Sequence, residues 1–269
     1  MASPLIIFLT DYGLADPFVG VCHAVIAGRC PEARVIDLSH GIPPQDVRAG
    51  AVVLVRALPF LPAGVLLAVV DPGVGGPRRG VAIEAADGRL LVGPDNGLLW
   101  PAALASGGAT AAMDLAGSPF SREPVSATFH GRDVFAPVAA ALASGTALER
   151  VGVPVDPATL VTLEESHPEL DAGVLRARVA AVDHFGNLEL GAAPSDLDAA
   201  GLSRCGELVV EGGKGPARAR RGRTFADVRA GQLLLYEDSG GALALAVRGG
   251  SAALCLAAAA GEELRITAP

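Results

Sequence analysis

Aspartates stand where apolar runs end in this chain. Asp11 follows residues 5–9, Asp37 and then Ser39 and His40 close 34–38, Asp71 follows 64–70, and Asp95 and Asn96 follow 89–92. In an open α/β sheet the carboxyl ends of the strands form the ligand crevice, and carboxylates there bind hydroxyls, polarise water or hold a cation. One aspartate at such a place is ordinarily a turn former or a helix cap; four at equivalent places argue for a site. Residues 71–79, DPGVGGPRR, put two guanidiniums beside a carboxylate on a loop whose glycines let backbone approach a ligand. The Gly-Lys-Ser/Thr ending of a P-loop is absent, and the loop runs into a strand rather than a helix, so it is no dinucleotide fingerprint. At 129–133, FHGRD sets His130 in a tight turn before a helical stretch. His130 serves there either as a packing or capping residue or as an acid–base group. The segment DHFGN at 183–187 reads as a β-turn, and equally as a ring and an amide placed to stack on a purine and bond its edge.

The elements that must position these residues alternate in the first half. Strands are expected at 5–9, 34–38, 64–70, 80–84 and 89–92, the last two joined by a turn at Asp87 and Gly88. Helices are expected at 17–30, with Asp16 capping it and Pro17 in its first position, at 46–58, with Asp46 as cap, and at 133–144. Continuous apolar strands alternating with helices imply a three-layer α/β domain with a mostly parallel central sheet. Near Val151 the texture changes. Residues 151–173 carry Pro154, Pro157 and Pro168 with little periodicity and read as a linker. Short strands then follow at 174–182, 207–210, 232–236, 242–247 and 263–267, separated by glycine-rich turns, the texture of a small β-barrel. The chain thus divides into an α/β domain at 1–150, a linker at 151–173 and a β-barrel domain at 174–269.

Composition excludes several classes. The 269 residues are 51% hydrophobic and 19% charged, which is not the balance of a disordered chain. The net charge of −8 argues against a nucleic-acid partner, which needs a basic stripe. The one basic run, Arg218 to Arg223, reads as a solvated hairpin or loop. No membrane span is expected: the alanine-rich run 251–261 is too short. Residues 1–11 lack a basic leader and enter a strand pattern directly, so no signal peptide is expected. The cysteines, Cys22, Cys30, Cys205 and Cys255, form no CxxC pair and are expected to be reduced and buried.

Seven segments occur in the order seen in one family: LTDYG at 9–13, DVRAGA at 46–51, VVDPGVG at 69–75, GPDNG at 93–97, FHGRDVF at 129–135, DHFGN at 183–187 and DSG at 238–240. The chain resembles the S-adenosylmethionine hydroxide adenosyltransferases, adenosine-forming hydrolases related to the fluorinases and chlorinases, over essentially its whole length. The resemblance implies an N-terminal α/β domain, a C-terminal β-barrel and a cytoplasmic homotrimer whose active sites lie between subunits. It implies S-adenosyl-L-methionine (SAM) as substrate, with no cofactor and no metal.

The family's water-activating triad carries over onto Asp71, Arg78 and His130, with Arg79 adjacent to the arginine position. The same resemblance implies that Asp11 receives the ribose hydroxyls, that Phe185 and Phe225 stack on adenine and that Asn187 bonds the purine edge. Asp16 and Asp183 take the methionine ammonium, and Ser239 its carboxylate. Two departures stand out: Cys22 and His23 replace a common Met-Lys pair, and the acidic Glu237 and Asp238 precede Ser239. The residue types fit hydrolysis. The sulfonium makes ribose C5′ electrophilic and methionine leaves neutral, so the enzyme needs only to place and polarise a water in line. Three alternatives remain at this stage: a non-catalytic binder of adenosine or SAM on the same scaffold, a halide-using relative, and a metal-dependent hydrolase built on Asp11, Asp71, Asp95 and His130.

Overall fold

The structure, a computed structural model, describes residues 4–164 and 167–269. Residues 1–3, part of the stretch read for a leader, and 165 and 166, in the expected linker, lie outside the described residues. The chain splits into two compact units, one ending at Leu163 and the other starting at Glu164.

The first unit is built on a seven-stranded sheet. Its strands are β1 (Leu5–Thr10), β2 (Arg34–Ser39), β3 (Val65–Val69), β4 (Gly80–Ala85), β5 (Leu90–Pro94), β6 (Ala109–Asp114) and β7 (Val153–Val155), in the order β2-β1-β3-β5-β4-β6-β7. Strands β2, β1, β3 and β5 are mutually parallel; β4, β6 and β7 add antiparallel pairings. Four helices cover it: α1 (Phe18–Arg29), α2 (Val47–Ala57), α3 (Trp100–Ala105) and α4 (Ala136–Ala143). The pleat sorts the core into two layers. Ile6 and Phe8 of β1 pack with Val25 and Ile26 of α1 and Val138 and Ala139 of α4. Ile7 and Leu9 point the other way, onto Ala51 and Leu54 of α2 and Ala102 and Ala103 of α3. Both faces of the central strands are covered, which is why they read as unbroken apolar runs.

The second unit holds β8 (Glu169–Asp171), β9 (Val174–Val182), β10 (Leu188–Leu190), β11 (Glu207–Gly212), β12 (Gly215–Arg221), β13 (Leu233–Glu237), β14 (Leu243–Val247) and β15 (Glu263–Thr267). Pairing of β10 with β9 closes seven of these into a barrel, with β8 appended to β9. Leu175, Leu208, Leu233, Leu245 and Ile266 fill its core. Two short helices, α5 (Pro194–Ala199) and α6 (Ala252–Leu256), lie on connections. The expected fold class is thus observed: a three-layer α/β unit followed by a β-barrel.

Several local expectations need correction. Pro17, not Asp16, stands at the cap of α1, and no side chain caps that helix; the first bond runs from the Val21 amide to the Pro17 carbonyl. Asp16 therefore lies one residue outside the helix start. Asp46 does cap α2, accepting from the Ala49 amide at 2.9 Å. The helix expected over 133–144 begins as a π-helical turn, Gly131–Phe135, and becomes α-helical only at Ala136. The basic run, read as a solvated hairpin or loop, is in a hairpin: Arg218 to Arg221 belong to its second strand, β12, with Arg218 paired to Glu207 at 2.9 Å. Cys22 and Cys30 are buried, but Cys205 is only partly so and Cys255 is exposed. No helix among the described residues is long and apolar enough to cross a membrane.

The π turn matters because His130 immediately precedes it, and Asp133 within it fixes the incoming loop. Its carboxylate is 1% exposed and takes Arg132 through two bonds of 2.7 Å and the Ser126 amide at 2.9 Å. Burial alone would raise its pKa. The Arg132 pair, the Ser126 amide and Arg122 outweigh it and hold the group below the ordinary carboxylate value of 3.8. The charged form is thus favoured by folding, and its contribution is present above that ordinary value and lost as pH falls through the lowered one. Asp133→Ala is expected to cost about 1–3 kcal/mol at neutral pH, because it removes the charged acceptor of the half-buried Arg132 and the Ser126 amide. Urea unfolding across an acid series checks this: the gap between wild type and variant should close at low pH, and a pH-independent gap contradicts the account.

Candidate active site

Three residues far apart in the chain meet at the carboxyl end of β3. Asp71 stands two residues beyond that strand. Arg78 comes from the loop leading to β4, and His130 from the turn before the π segment. The Arg78 Nε donates to Asp71 Oδ1 at 2.8 Å, and its terminal nitrogen Nη2 donates to Asp71 Oδ2. The same Nη2 lies 2.8 Å from His130 Nδ1. Asp71 and Arg78 side chains are 6% and 12% exposed, so little water competes for the pair. The guanidinium also sits 5.3 Å above the ring of the fully buried Phe135, which holds its plane.

Arginine has donors only, so His130 Nδ1 must be the acceptor and the imidazole proton sits on Nε2. Burial first, and then the Arg78 charge, keep the His130 pKa below its ordinary 6.5, so the ring is neutral at physiological pH. The arrangement is a carboxylate bonded by a bidentate guanidinium, beside a neutral imidazole of one tautomer.

Asp71, His130 and Gly131 line a cavity of about 200 Å³ together with Asp11, Tyr12, Phe18, Val74, Thr128 and Phe129. Asp11 is anchored through Oδ2 to the Gln45 amide at 2.8 Å, a residue held at φ 68°. Tyr12, Phe18 and Phe129 form an aromatic cluster with centroids 5.2–5.9 Å apart. Burial, with Cys22, Asp11 and Asp71 nearby, raises the Tyr12 phenol far above its ordinary value and keeps it protonated. Gly131 is required here: a Cβ would lie 2.1 Å from the Tyr12 hydroxyl. Sequence reasoning missed Tyr12, Phe18 and Phe129. Their only signal was that aromatic residues are scarce, at 4% of the chain, yet border both motifs.

Arg79 does something else. It bonds Asp95 Oδ2 through Nε at 2.9 Å and Nη2 at 2.6 Å, and it reaches the Thr159 carbonyl at 2.6 Å. Asp95 Oδ1 takes the Val161 amide at 2.8 Å. The two adjacent arginines therefore face different carboxylates, and Arg78 is the one that meets Asp71 and His130. A metal centre on Asp11, Asp71, Asp95 and His130 does not fit these residues, because Asp71 and Asp95 are each engaged by a guanidinium.

The remaining sequence-singled residues lie in the second unit, except Asp16, which is exposed before α1. Asp183 organises its own turn: Oδ1 accepts the Phe185 and Asn187 amides at 2.9 and 2.8 Å, and Oδ2 the Asn187 side-chain amide at 2.7 Å. Phe185 projects from that turn, 74% exposed. Phe225 opens a short 3₁₀ turn and stacks edge-on against Tyr236 at 5.4 Å. Ser239 lies in the turn that Asp238 shapes by accepting the Gly240 amide at 2.7 Å. A cavity of about 400 Å³ nearby is lined by Glu237 and Asp238 but also by Arg221 and Arg223, which offset the acidic character of that region. Its arginines come from the run read as a solvated hairpin. Within this unit the Asp183 turn and Phe225 do not share that cavity.

Comparison with known proteins gives a consistent result. Residues 6–152 match the SAM hydroxide adenosyltransferase N-terminal domain, and residues 177–265 the C-terminal domain of the same family. A Salinispora tropica protein named (R)-S-adenosyl-L-methionine hydrolase is 52% identical, covering 99% of this chain and 98% of its own. A Thermus thermophilus protein of the same name is 43% identical over 96% of this chain and 98% of its own. A fluorinase of Nocardia brasiliensis is 29% identical over 90% of each chain. Among solved structures, an uncharacterised conserved protein from Thermotoga maritima superimposes with a TM-score of 0.88 at 37% identity, covering 97% of this chain and 99% of that one. With both domains matched in order and full-length relatives well above 30% identity, the chain belongs to the SAM hydroxide adenosyltransferase family.

Proposed function

We propose that this chain hydrolyses SAM to adenosine and L-methionine by in-line attack of water on ribose C5′. The observation that carries this reading is the Arg78 bridge between Asp71 and His130, in a chain whose relatives bear the name (R)-S-adenosyl-L-methionine hydrolase. Attack forms the C5′–O bond as the C5′–S bond breaks. The electron pair goes to sulfur, methionine leaves neutral, and one water proton must be removed. The neutral His130 presents Nε2–H, which orients the water oxygen by donating to it. Asp71 accepts the released proton through a lone pair that Arg78 leaves free, with Arg78 holding the carboxylate in place. Positive charge disappears in the transition state, so a pocket poor in water favours the reaction.

Asp11 receives the ribose hydroxyls in this reading. Asp16 and Asp183 face the methionine ammonium, Ser239 its carboxylate, and Phe185, Phe225 and Asn187 the adenine. The family resemblance adds to this reading a cytoplasmic homotrimer in which a neighbouring copy completes each site. Asp183 reaches the ligand only through whatever capacity its own turn leaves it.

Chromatography of adenosine released from SAM is the direct test. Asp71→Ala, Arg78→Ala and His130→Ala should each lower turnover by about 10²–10⁴ while adenosine still binds. The double variant Asp71→Ala/His130→Ala should be little slower than the worse single one, because the groups act on one water. Arg79→Ala, which touches Asp95 instead, should be much milder. A wild type that binds adenosine but releases none from SAM leaves only a binding protein, and product that depends on halide points to the halogenase chemistry of the fluorinase relatives.

The pH profile follows from the bonding of His130. Protonation would place a second hydrogen on Nδ1 and break the Arg78 contact. Turnover should therefore stay level through the ordinary histidine value of 6.5 and fall only at lower pH. A midpoint above 6.5 contradicts a neutral, Arg78-bonded ring.

Asp11→Ala should weaken adenosine binding by about 2–4 kcal/mol in calorimetry, the loss of two charge-assisted hydrogen bonds. Unchanged affinity removes Asp11 from the ribose.

A further inference from the structure

The catalytic reading leaves His23, Asp37 and His40 unused, although they converge at the carboxyl end of β2. His23 projects from α1, and Asp37 and His40 from β2 and the turn after it. The His23 Nε2 lies 2.8 Å from Asp37 Oδ1, and the His40 Nε2 lies 3.0 Å from the same oxygen. The three potential ligand atoms all fall within 4.8 Å of one another. Bond lengths of about 2.0–2.1 Å to zinc give a tetrahedral edge of about 3.3 Å, so the two nitrogen–oxygen pairs need open by only a few tenths of an ångström, with the imidazole nitrogens brought to the same spacing from within 4.8 Å.

Two features separate this cluster from an ordinary pair of histidine–aspartate bonds. First, the His40 side chain is only 3% exposed, and its Nε2 is buried without a hydrogen bond of acceptable geometry despite its closeness to Asp37. A buried polar nitrogen without a partner is costly, and a cation would satisfy it. Second, the other ring nitrogen is already committed. His40 Nδ1 lies 2.8 Å from Oγ1 of the fully buried Thr10, and in the tautomer that donates there Nε2 carries the lone pair of a free ligand. Phe8 packs against both imidazoles, at 4.8 Å from His40 and 6.0 Å from His23, and limits their rotation. His23 and Asp37 remain 34% and 45% exposed, so the open side faces solvent and leaves room for water ligands.

We propose that His23, Asp37 and His40 form a binding site for a divalent first-row transition metal, zinc in class, with two imidazoles, one carboxylate and water as ligands. None of the three lines the Asp71–His130 cavity. The site nonetheless touches that region through Thr10, whose hydroxyl also accepts the Tyr12 amide at 3.1 Å, and through the His40 carbonyl, which takes the Gly13 amide at 2.8 Å. A bound ion would brace the Asp11–Gly13 loop from behind.

The test uses the full-length, tag-free protein after chelator treatment, titrated with zinc by calorimetry and with cobalt by visible absorption. One equivalent per chain is expected, with the d–d bands of a four- or five-coordinate nitrogen–oxygen site and no thiolate charge-transfer band. His23→Ala and Asp37→Asn, both at part-exposed positions, should each weaken binding at least tenfold. His40→Ala lies in the core, so it is paired with a thermal scan in which zinc should raise the wild-type Tm but not that of His23→Ala. No stoichiometric binding, affinity unchanged in His23→Ala and Asp37→Asn, or a thiolate band showing capture by a cysteine would each overturn the proposal.

Discussion

The guanidinium of Arg78 is the constraint on which the site depends. It has donors on three nitrogens and no lone pair to offer, so whatever it touches must accept. Placed between Asp71 and His130, it orients the one through two bonds and obliges the other to keep its proton on the far nitrogen. A lysine in its place could not serve both partners in one plane. The rest of the first unit supplies the conditions: β3 carries Asp71 to the sheet's carboxyl edge, Phe135 supports the guanidinium face, and the Asp133 clamp holds the turn that delivers His130.

Glycine and tyrosine supply a second layer of constraint. Tyr12 comes from the end of β1 and lies over Gly131 so closely that no side chain fits there. The loop after β1 and the turn before α4 are thereby fixed against each other. Asp11, next to Tyr12, is fixed with them through the backbone of Gln45. The pocket wall is thus assembled from two loops that share one contact, rather than from any single element.

Much of this was legible in the sequence, and the failures have physical causes. The central strands were readable because burial on both faces writes itself as unbroken apolar runs at 5–9 and 64–70. The barrel was readable from its spacing of short strands and glycine turns. The π-helical opening at Gly131 was not, because a one-residue change in hydrogen-bond register leaves no mark on hydrophobic periodicity. Asp16 looked like a cap since Asp before Pro commonly is one, but the helix starts a residue late. The basic run was read as a hairpin or a loop, and the hairpin is what forms; composition could not choose because a barrel strand with arginines on its outer face resembles a solvated loop. The adjacent arginines could not be told apart by type; only three-dimensional placement assigns Arg78 to Asp71 and Arg79 to Asp95. His23, Asp37 and His40 converge through tertiary packing, which spacing along the chain does not reveal.

Arg79 and Thr159 are bonded across 80 positions of chain. Closing a loop of that length costs more entropy than closing a hairpin, and only contacts already made can offset it. The latch therefore rests on the β6–β7 pairing, which holds residues 153–155 at the sheet edge and brings Thr159 and Val161 within reach of Arg79 and Asp95. The Arg79–Asp95 corner thus depends on the far edge of the sheet, through Thr159 and Val161, while the Arg78–Asp71 pair does not.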